Sequence, residues 1–404
     1  MGNVPELRFP EFSGEWREVS LAHIIQSLDA GVSVNSLDKT ATENEVGILK
    51  TSCVTNGQFE PSENKVVLDE KEKNRLKEPV VKDTIIISRM NTPTLVGANA
   101  LVKESKPNLY LPDRLWAAKV SQDESVVWLS FVLASKKVRA LISARATGTS
   151  NSMKNITKKD IFTLPISIPS LPEQQKIADF LTAIDEKITI LTDKITQLQT
   201  YKKGMMQKLL SGELRFPGFT DEWREMKLGE ISSERKERCG DCDYELLAVT
   251  GSAGVIKRDE LEKRDSSNSD KSKYRVVRVN DIAYNTMRMW QGTSGVSKYE
   301  GIVSPAYTVM HLKEVNDIRY FGYLFKTSRL IFDFYRFSQG LTSDTWNLKF
   351  HQFAEISVKI PLLKAEQEKI ADFLTAIDDK LTIEQEKLDQ LKRYKQGLLQ
   401  KMFI

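Results

Sequence analysis

The segment EQQKIADFLTAIDEKIT, beginning at Glu173, returns almost letter for letter as EQEKIADFLTAIDDKLT at Glu366. A second echo precedes each copy: LRFPEFSGEWRE from Leu7 and LRFPGFTDEWRE from Leu214. Between these matching stretches lie two long inserts that barely resemble one another. The chain therefore has to fold as two units, each a constant frame around a divergent globule. Gln174 to Gln367 is an offset of 193 and Leu7 to Leu214 an offset of 207, so the second insert is about 14 residues shorter while the order of parts is unchanged.

The frame is the most legible part. Apolar residues at Ile177, Leu181, Ile184, Ile188, Leu191, Ile195 and Leu198 step alternately by four and three, and Met205 and Leu209 continue the series. The second copy places Ile370, Leu374, Ile377, Leu381, Leu388, Leu391 and Leu398 on the same ladder, with Glu384 and Lys395 as polar interruptions. That spacing is a heptad seam and predicts two long helices of about 38 residues, or about 57 Å each. Pro172 and Pro361 stand before the helices and Gly212 ends the first. Lysines gather toward both C-terminal ends, where they suit the helix dipole. Equivalent units in one chain tend to pack about a pseudo-two-fold axis, as identical subunits do. The helices are then antiparallel, and the end at Ile404 falls beside the first LRFPEF.

The inserts read as α+β. KEPVVKDTIIISRM, LVGANALV and RLWAAKV in the first, and YRVVRVNDIAYNTMRM with SGVSKYEGIVSPAYTVMHL in the second, carry the β-branched runs of strands. Asp83 with Asp281 and Gly97 with Gly295 share an offset of 198, which suggests a common fold under different side chains. Apolar patches of helical period follow in both, then a glycine-centred loop and a short strand ending in proline. The expected fold class is thus two α+β globules joined by two long helices in an antiparallel coiled coil with pseudo-two-fold symmetry. The expected divisions are 1–18, an N-terminal conserved segment; 19–170, the first globule; 171–212, the central helix; 213–226, the repeated LRFPGF segment; 227–362, the second globule; and 363–404, the C-terminal helix.

Composition narrows the class. With 40% hydrophobic residues over 404 positions the chain can bury real cores, and a formal net charge of +4 permits a nucleic-acid partner without requiring one. No apolar run reaches spanning length and the start MGNVPELRFPEF lacks the features of a signal peptide, so a cytoplasmic protein is expected. Its three cysteines, Cys53, Cys239 and Cys242, are then expected to be reduced. One CxxC offers two of the four ligands that structural zinc needs, so no metal is expected. There is no GxxxxGK[ST], GSAGV after Thr250 lacks the lysine, and the three histidines form no HExxH. QGTSG at Gln291 has the wrong spacing for a nucleophile elbow, and the Asn-Pro-Pro-aromatic motif of adenine methyltransferases is missing. Chemistry is expected from partners.

Repeated EQxKIADFLTAID helices, LRFPxFxxEW segments and two dissimilar α+β inserts resemble the specificity subunit of type I restriction-modification systems, over essentially the whole chain. That resemblance implies a non-catalytic subunit in which each insert, a target-recognition domain, reads one half of a bipartite asymmetric site in double-stranded DNA. It also implies that the helices set the spacing and dock two methyltransferase subunits, and that restriction and translocase subunits join the full complex. S-adenosylmethionine, ATP and Mg would be bound on those partners and not by this chain. The geometry is reasonable on physical grounds: two readers on one face of DNA need centres near one turn apart, about 34 Å, and a rigid spacer fixes such a separation. The alternative is a coiled-coil adaptor whose globules bind proteins.

Candidate DNA contacts are loop residues with groups that reach base edges or phosphates. In the first insert these are Arg89, Asn91, Thr92, Thr149, Ser150, Asn151, Lys154 and Lys158. In the second they are Asn285, Arg288, Trp290, Gln291 and Ser294, with Gln339, Thr342, Ser343, Asp344 and Trp346. Turns also collect Asn, Ser, Thr and Gly for backbone reasons, and either tryptophan could equally be core.

Overall fold

In the computed structural model the two heptad ladders form helices over Leu171–Ser211 and Lys364–Met402, of 41 and 39 residues. Both slightly exceed the expected length. The first begins one residue ahead of Pro172, so that proline sits inside the first turn, where an amide proton has no helical acceptor to lose. The structure describes residues 3–150, 153–240, 244–251, 253–261, 270–342 and 345–404. Contacts divide it into one unit of Met1–Thr192 with Lys387–Ile404 and a second of Asp193–Glu386.

Within each unit a piece of one long helix lies on a piece of the other. In the second unit Lys194 pairs with Glu384 at 2.9 Å and Lys202 with Asp378 at 2.5 Å, so numbers rise along one helix as they fall along the other. The pieces are antiparallel. In the first unit Lys395 pairs with Asp185 at 2.5 Å, the counterpart of Lys202 with Asp378 at the 193-residue offset. Both polar interruptions of the ladder, Glu384 and Lys395, are thus matched by a charge on the facing helix. Ile177, Leu181 and Ile184 share the core of the first unit with Leu398, and Ile370 and Leu374 lie in that of the second. None of the fourteen seam residues is exposed.

The repeated LRFPxFxxEW segments act as a latch at each helix start. Glu173 is 1% exposed, yet it is a carboxylate, so it must be paired to be tolerated there. Arg8 grips it with two hydrogen bonds of 2.8 Å and Trp16 Nε1 donates a third at 3.2 Å. Arg215 and Trp223 hold Glu366 by the same three bonds at the same distances. The adjacent glutamine, fully buried, turns the other way. Gln174 accepts from Ser125 N and donates to Pro169 O, while Gln367 accepts from Asp317 N and donates to Pro361 O. The EQ pair therefore ties the frame segment on one side and the insert's helices on the other, which is the physical reason these letters recur.

The C-terminus completes the first unit. Leu7 N donates to Lys401 O at 2.9 Å, and Leu214 N donates to the equivalent Lys208 O at 3.0 Å in the second. Phe403 packs its ring 6.3 Å from that of Trp128, which in turn contacts Trp16. The expected meeting of Ile404 with the first LRFPEF region is observed, since Ile404 also packs against this core.

Each insert is built on a four-stranded antiparallel sheet of one topology. The order is Ile25–Ala30, Leu115–Val120, Thr84–Ser88, Asn99–Leu101 in the first and Ser232–Glu234, Tyr307–Leu312, Ile282–Asn285, Ser294–Val296 in the second. The outer strand pair of each frame closes below: Arg17 opposite Ile168 and Arg224 opposite Ile360. The register corrects one expectation. Asp83 and Asn280 are the residues in left-handed conformation, at φ 59° and 69°, donating to Val102 O and Ser297 O. That offset is 197, and Gly97 corresponds, at an offset of 195, to Gly292, both with φ above 70°, and not to Gly295. The aspartates looked equivalent because Asn, like Asp, tolerates the left-handed region. Each apolar helical patch is two helices. Val126–Ala134 and Lys136–Arg145 meet at Ser135, and Ile318–Leu324 is followed by Ser328–Phe337 beyond Thr327. Ser125 and Asp317 accept amide hydrogens as N-caps of the first helix in each pair.

Candidate nucleic-acid interface

Beyond the central strand Thr84–Ser88 the chain crosses to Met90–Asn91, and this short strand pairs with Met153–Asn155, which pairs with Thr147–Ser150. The two candidate segments of the first insert, far apart in sequence, are thereby one small sheet. Lys154 lies opposite Asn91 in the ladder. Arg89, half-buried, stacks its guanidinium 5.6 Å over the Trp116 ring, with Nε 3.4 Å from Asn155 Oδ1. Asn91 caps its own turn, accepting from Thr92 N, and the Thr92 hydroxyl meets Thr94. Lys154 Nζ donates to Gly148 O, and Lys158 is an exposed residue of the helix Lys158–Phe162. Thr149 and Ser150 lie in the strand Thr147–Ser150, and Asn151 lies outside the described residues.

The second insert places its two candidate segments together through aromatic rings. Trp290, in the turn Met289–Gln291, meets Trp346 edge to face at 5.3 Å, and Tyr335 meets Trp346 at 4.9 Å. Both tryptophans are half-buried at the surface and absent from the cores, so the reading of them as core residues does not hold. Gln339 and Asn347 exchange backbone hydrogen bonds of 2.8 and 2.9 Å, closing a hairpin that carries exposed Thr342. Ser343 and Asp344 lie outside the described residues.

A concavity of about 750 Å³ opens beside this cluster, lined by Asn285, Arg288, Trp290, Gln291, Ser304 and Tyr307. Asn285 Oδ1 accepts from Met287 N, which turns the chain so that Arg288 and Gln291 stand exposed. Burial pushes the Tyr307 hydroxyl up, opposed by its hydrogen bond with Asn285. A cation, an amide, hydroxyls and an aromatic face around one hollow can offer hydrogen bonds to base edges and charge to phosphates. Ser294 is not part of that surface. It is 1% exposed and donates to Gly292 O, in a strand that pairs with Ile282–Asn285 on one side and packs against Gly254. Ser304 and Tyr307 escaped the sequence reading, although SPAYT between two strand patterns carries the same polar and aromatic signal as the segments that were chosen.

Among the described residues no group of three or more His, Cys, Asp or Glu is placed to hold a metal, and no helix is long and apolar enough to cross a membrane. Cys239 is disulfide-bonded, which corrects the expectation of a reduced thiol at that position, while Cys53 is free. That expectation rested only on the redox state of a compartment. Cys242 lies outside the described residues.

Comparison with known proteins gives a consistent result. The family model described as "Type I restriction modification DNA specificity domain" matches residues 13–200 and 220–393. A 190-residue stretch is 27% identical to the type I restriction enzyme EcoEI specificity subunit of Escherichia coli, covering 45% of this chain and 32% of that protein. A 62-residue stretch is 44% identical to the putative type I restriction enzyme MjaX specificity subunit of Methanocaldococcus jannaschii, covering 15% of each. The matches thus span about a third or less of those curated relatives. The crystal structure of the type I restriction-modification S subunit from M. genitalium superposes with a TM-score of 0.62 at 17% identity, over 99% of both chains, and so shares the fold. Because the two matched stretches cover well over half of the sequence, the chain belongs to the type I restriction modification DNA specificity domain family.

Proposed function

We propose that this chain is the non-catalytic sequence-specificity subunit of a type I restriction-modification complex, with residues 19–170 reading one half of a bipartite DNA site and residues 227–362 the other. The observation that carries this reading is the contrast between constant and variable parts. Two inserts of one strand order are held by identical Glu, Arg and Trp latches, yet the surfaces beyond their central strands differ: Arg89, Asn91 and Lys154 in one, Arg288, Gln291 and Trp346 in the other. Selection for sequence readout varies such groups, while a spacer has no cause to vary.

On this reading the paired helices set the distance between half-sites and dock two methyltransferase subunits. S-adenosylmethionine, ATP and Mg belong to the methyltransferase and restriction subunits, so one chain directs both adenine methylation and cleavage in the cytoplasm. The test is a footprint of the purified chain with its methyltransferase partner on random-sequence duplex. Two short protected blocks separated by an unspecified gap are expected. Absence of any selected sequence would favour a protein adaptor.

A further inference from the structure

Lys326 follows the helix Ile318–Leu324 of the second insert and is itself half-buried, whereas Arg288 and Gln291 are exposed. Its side chain runs inward, and its ammonium donates to three backbone carbonyls: Gly292 O at 2.7 Å, Ser294 O at 2.8 Å and Gly251 O at 3.3 Å. An ammonium has three hydrogens and no acceptor, so this set uses it completely. Two of the carbonyls flank the point where the loop Asn285–Gln291 re-enters the sheet, and the third belongs to the turn joining Leu247–Thr250 to Gly254–Lys257. Burial pushes this amine down to about 8, with no charged group contributing, so no carboxylate explains why a lysine is kept here.

The first unit shows what the same position looks like without it. Ser125 and Asp317 are equivalent caps, as are Ser135 and Thr327, so Lys326 corresponds to Ala134. The helix pair therefore forms without a lysine at this place. In the first unit the corresponding loop is held instead from the next helix: Arg139 Nη2 donates to Thr94 O at 3.0 Å and Ser143 Oγ to Pro93 O at 3.1 Å. Unrelated side chains, Lys326 in one insert and Arg139 with Ser143 in the other, thus grip backbone carbonyls of the corresponding loop.

We propose that Lys326 is a positioning residue for sequence readout by the second insert, touching no DNA itself and fixing the loop that presents Arg288, Trp290 and Gln291. This rests on the proposed DNA-reading function, and two measurements separate the ideas. In the full chain, K326A should speed amide exchange at Asn285, Gly292 and Thr293 by about tenfold or more, as expected when a hydrogen-bonded clamp on a loop is lost; this readout involves no DNA. In the complex with the methyltransferase partner, on duplex carrying the motif mapped from methylated DNA, K326A should lower discrimination at one half-site by about tenfold and leave the other unchanged, roughly what one weakened base contact is worth. K326C treated with bromoethylamine, which rebuilds an ammonium on a side chain of lysine length, should restore both, with identically treated wild type as control. Unchanged exchange in K326A, equal losses at both half-sites, faster exchange with intact discrimination, or no rescue would each overturn the proposal. Failure to find any methylated motif would instead remove the DNA-reading function and leave the exchange result to stand by itself.

Discussion

The frame latch makes a quantitative test, because the same three hydrogen bonds occur once in each unit. Consider Arg8→Ala. It removes two charge-assisted bonds of 2.8 Å to a carboxylate whose side chain is 2% exposed, and leaves Glu173 with Trp16 Nε1 alone. Breaking a buried ion pair from one side costs about 3–5 kcal/mol, since the stranded charge has lost its water and gains no substitute. Arg8 itself is 14% exposed, so some water can enter where it stood, and the lower end, about 3 kcal/mol, is the expected loss. With a urea m-value of about 2 kcal/mol/M, the midpoint of the first unit falls by about 1.5 M. The two units need not unfold together, so the transition should be followed by hydrogen exchange of peptides from each. R8A should shift the first unit and leave the second in place, and R215A should do the reverse. The double variant R8A/E173Q should lose less than the sum of its parts, because the neutral amide no longer strands a charge. A loss below about 0.5 kcal/mol for R8A, in the range of an exposed surface pair, or strict additivity in the cycle, would refute the argument that the repeated letters exist to hold a buried carboxylate.

Three further outcomes follow from the same structure. Phe403, 8% exposed against Trp128, closes the first core, so F403A should destabilise that unit by about 3 kcal/mol in the same exchange-resolved urea titration, and removal of residues 401–404 by more. Trp346→Ala should weaken DNA binding without lowering the melting temperature, because the ring sits at the surface between Trp290 and Tyr335 and not in a core; a gel-shift titration beside calorimetry checks both. Cys53 is fully buried and its thiol is pushed up to about 12 by burial first and Glu63 second, against an ordinary value of 9.0. At pH 8 its thiolate fraction is then lower by about 1000-fold, and alkylation of the native chain at Cys53 should proceed only through unfolding; prompt modification without loss of structure would contradict that placement.

The sequence carried the frame well because its information is periodic. A seven-residue ladder from Ile177 and Ile370 specifies long helices whatever surrounds them, and the antiparallel sense followed from the order of the repeats. Leu7 could be placed beside the C-terminus for the same reason. The role of Glu173 and Arg8 was not legible, since a glutamate before a helical run reads as an ordinary first-turn acid until burial is known. In the inserts the strands were visible as β-branched runs, but their register was not. Asn280 and not Asp281 takes the left-handed turn, and no local pattern separates the two. Candidate site residues were legible only as loop chemistry. The pairing of Asn91 with Lys154, or of Trp290 with Trp346, is a long-range contact that leaves no trace at either position, and Ser294 is buried in a strand whose partner across the ladder is Tyr284. Lys326 was invisible for the same reason, since its partners are backbone atoms.

The central claim is that two exchangeable readers sit on one constant frame, and it is tested most directly by mapping adenine methylation. DNA should be taken from cells expressing this chain with its methyltransferase partner, before and after residues 227–362 are replaced by the corresponding insert of another family member. The expected result is a split motif in which one half and the gap are unchanged and the other half is new. A continuous motif, or a change in both halves after exchange of one insert, would contradict the account.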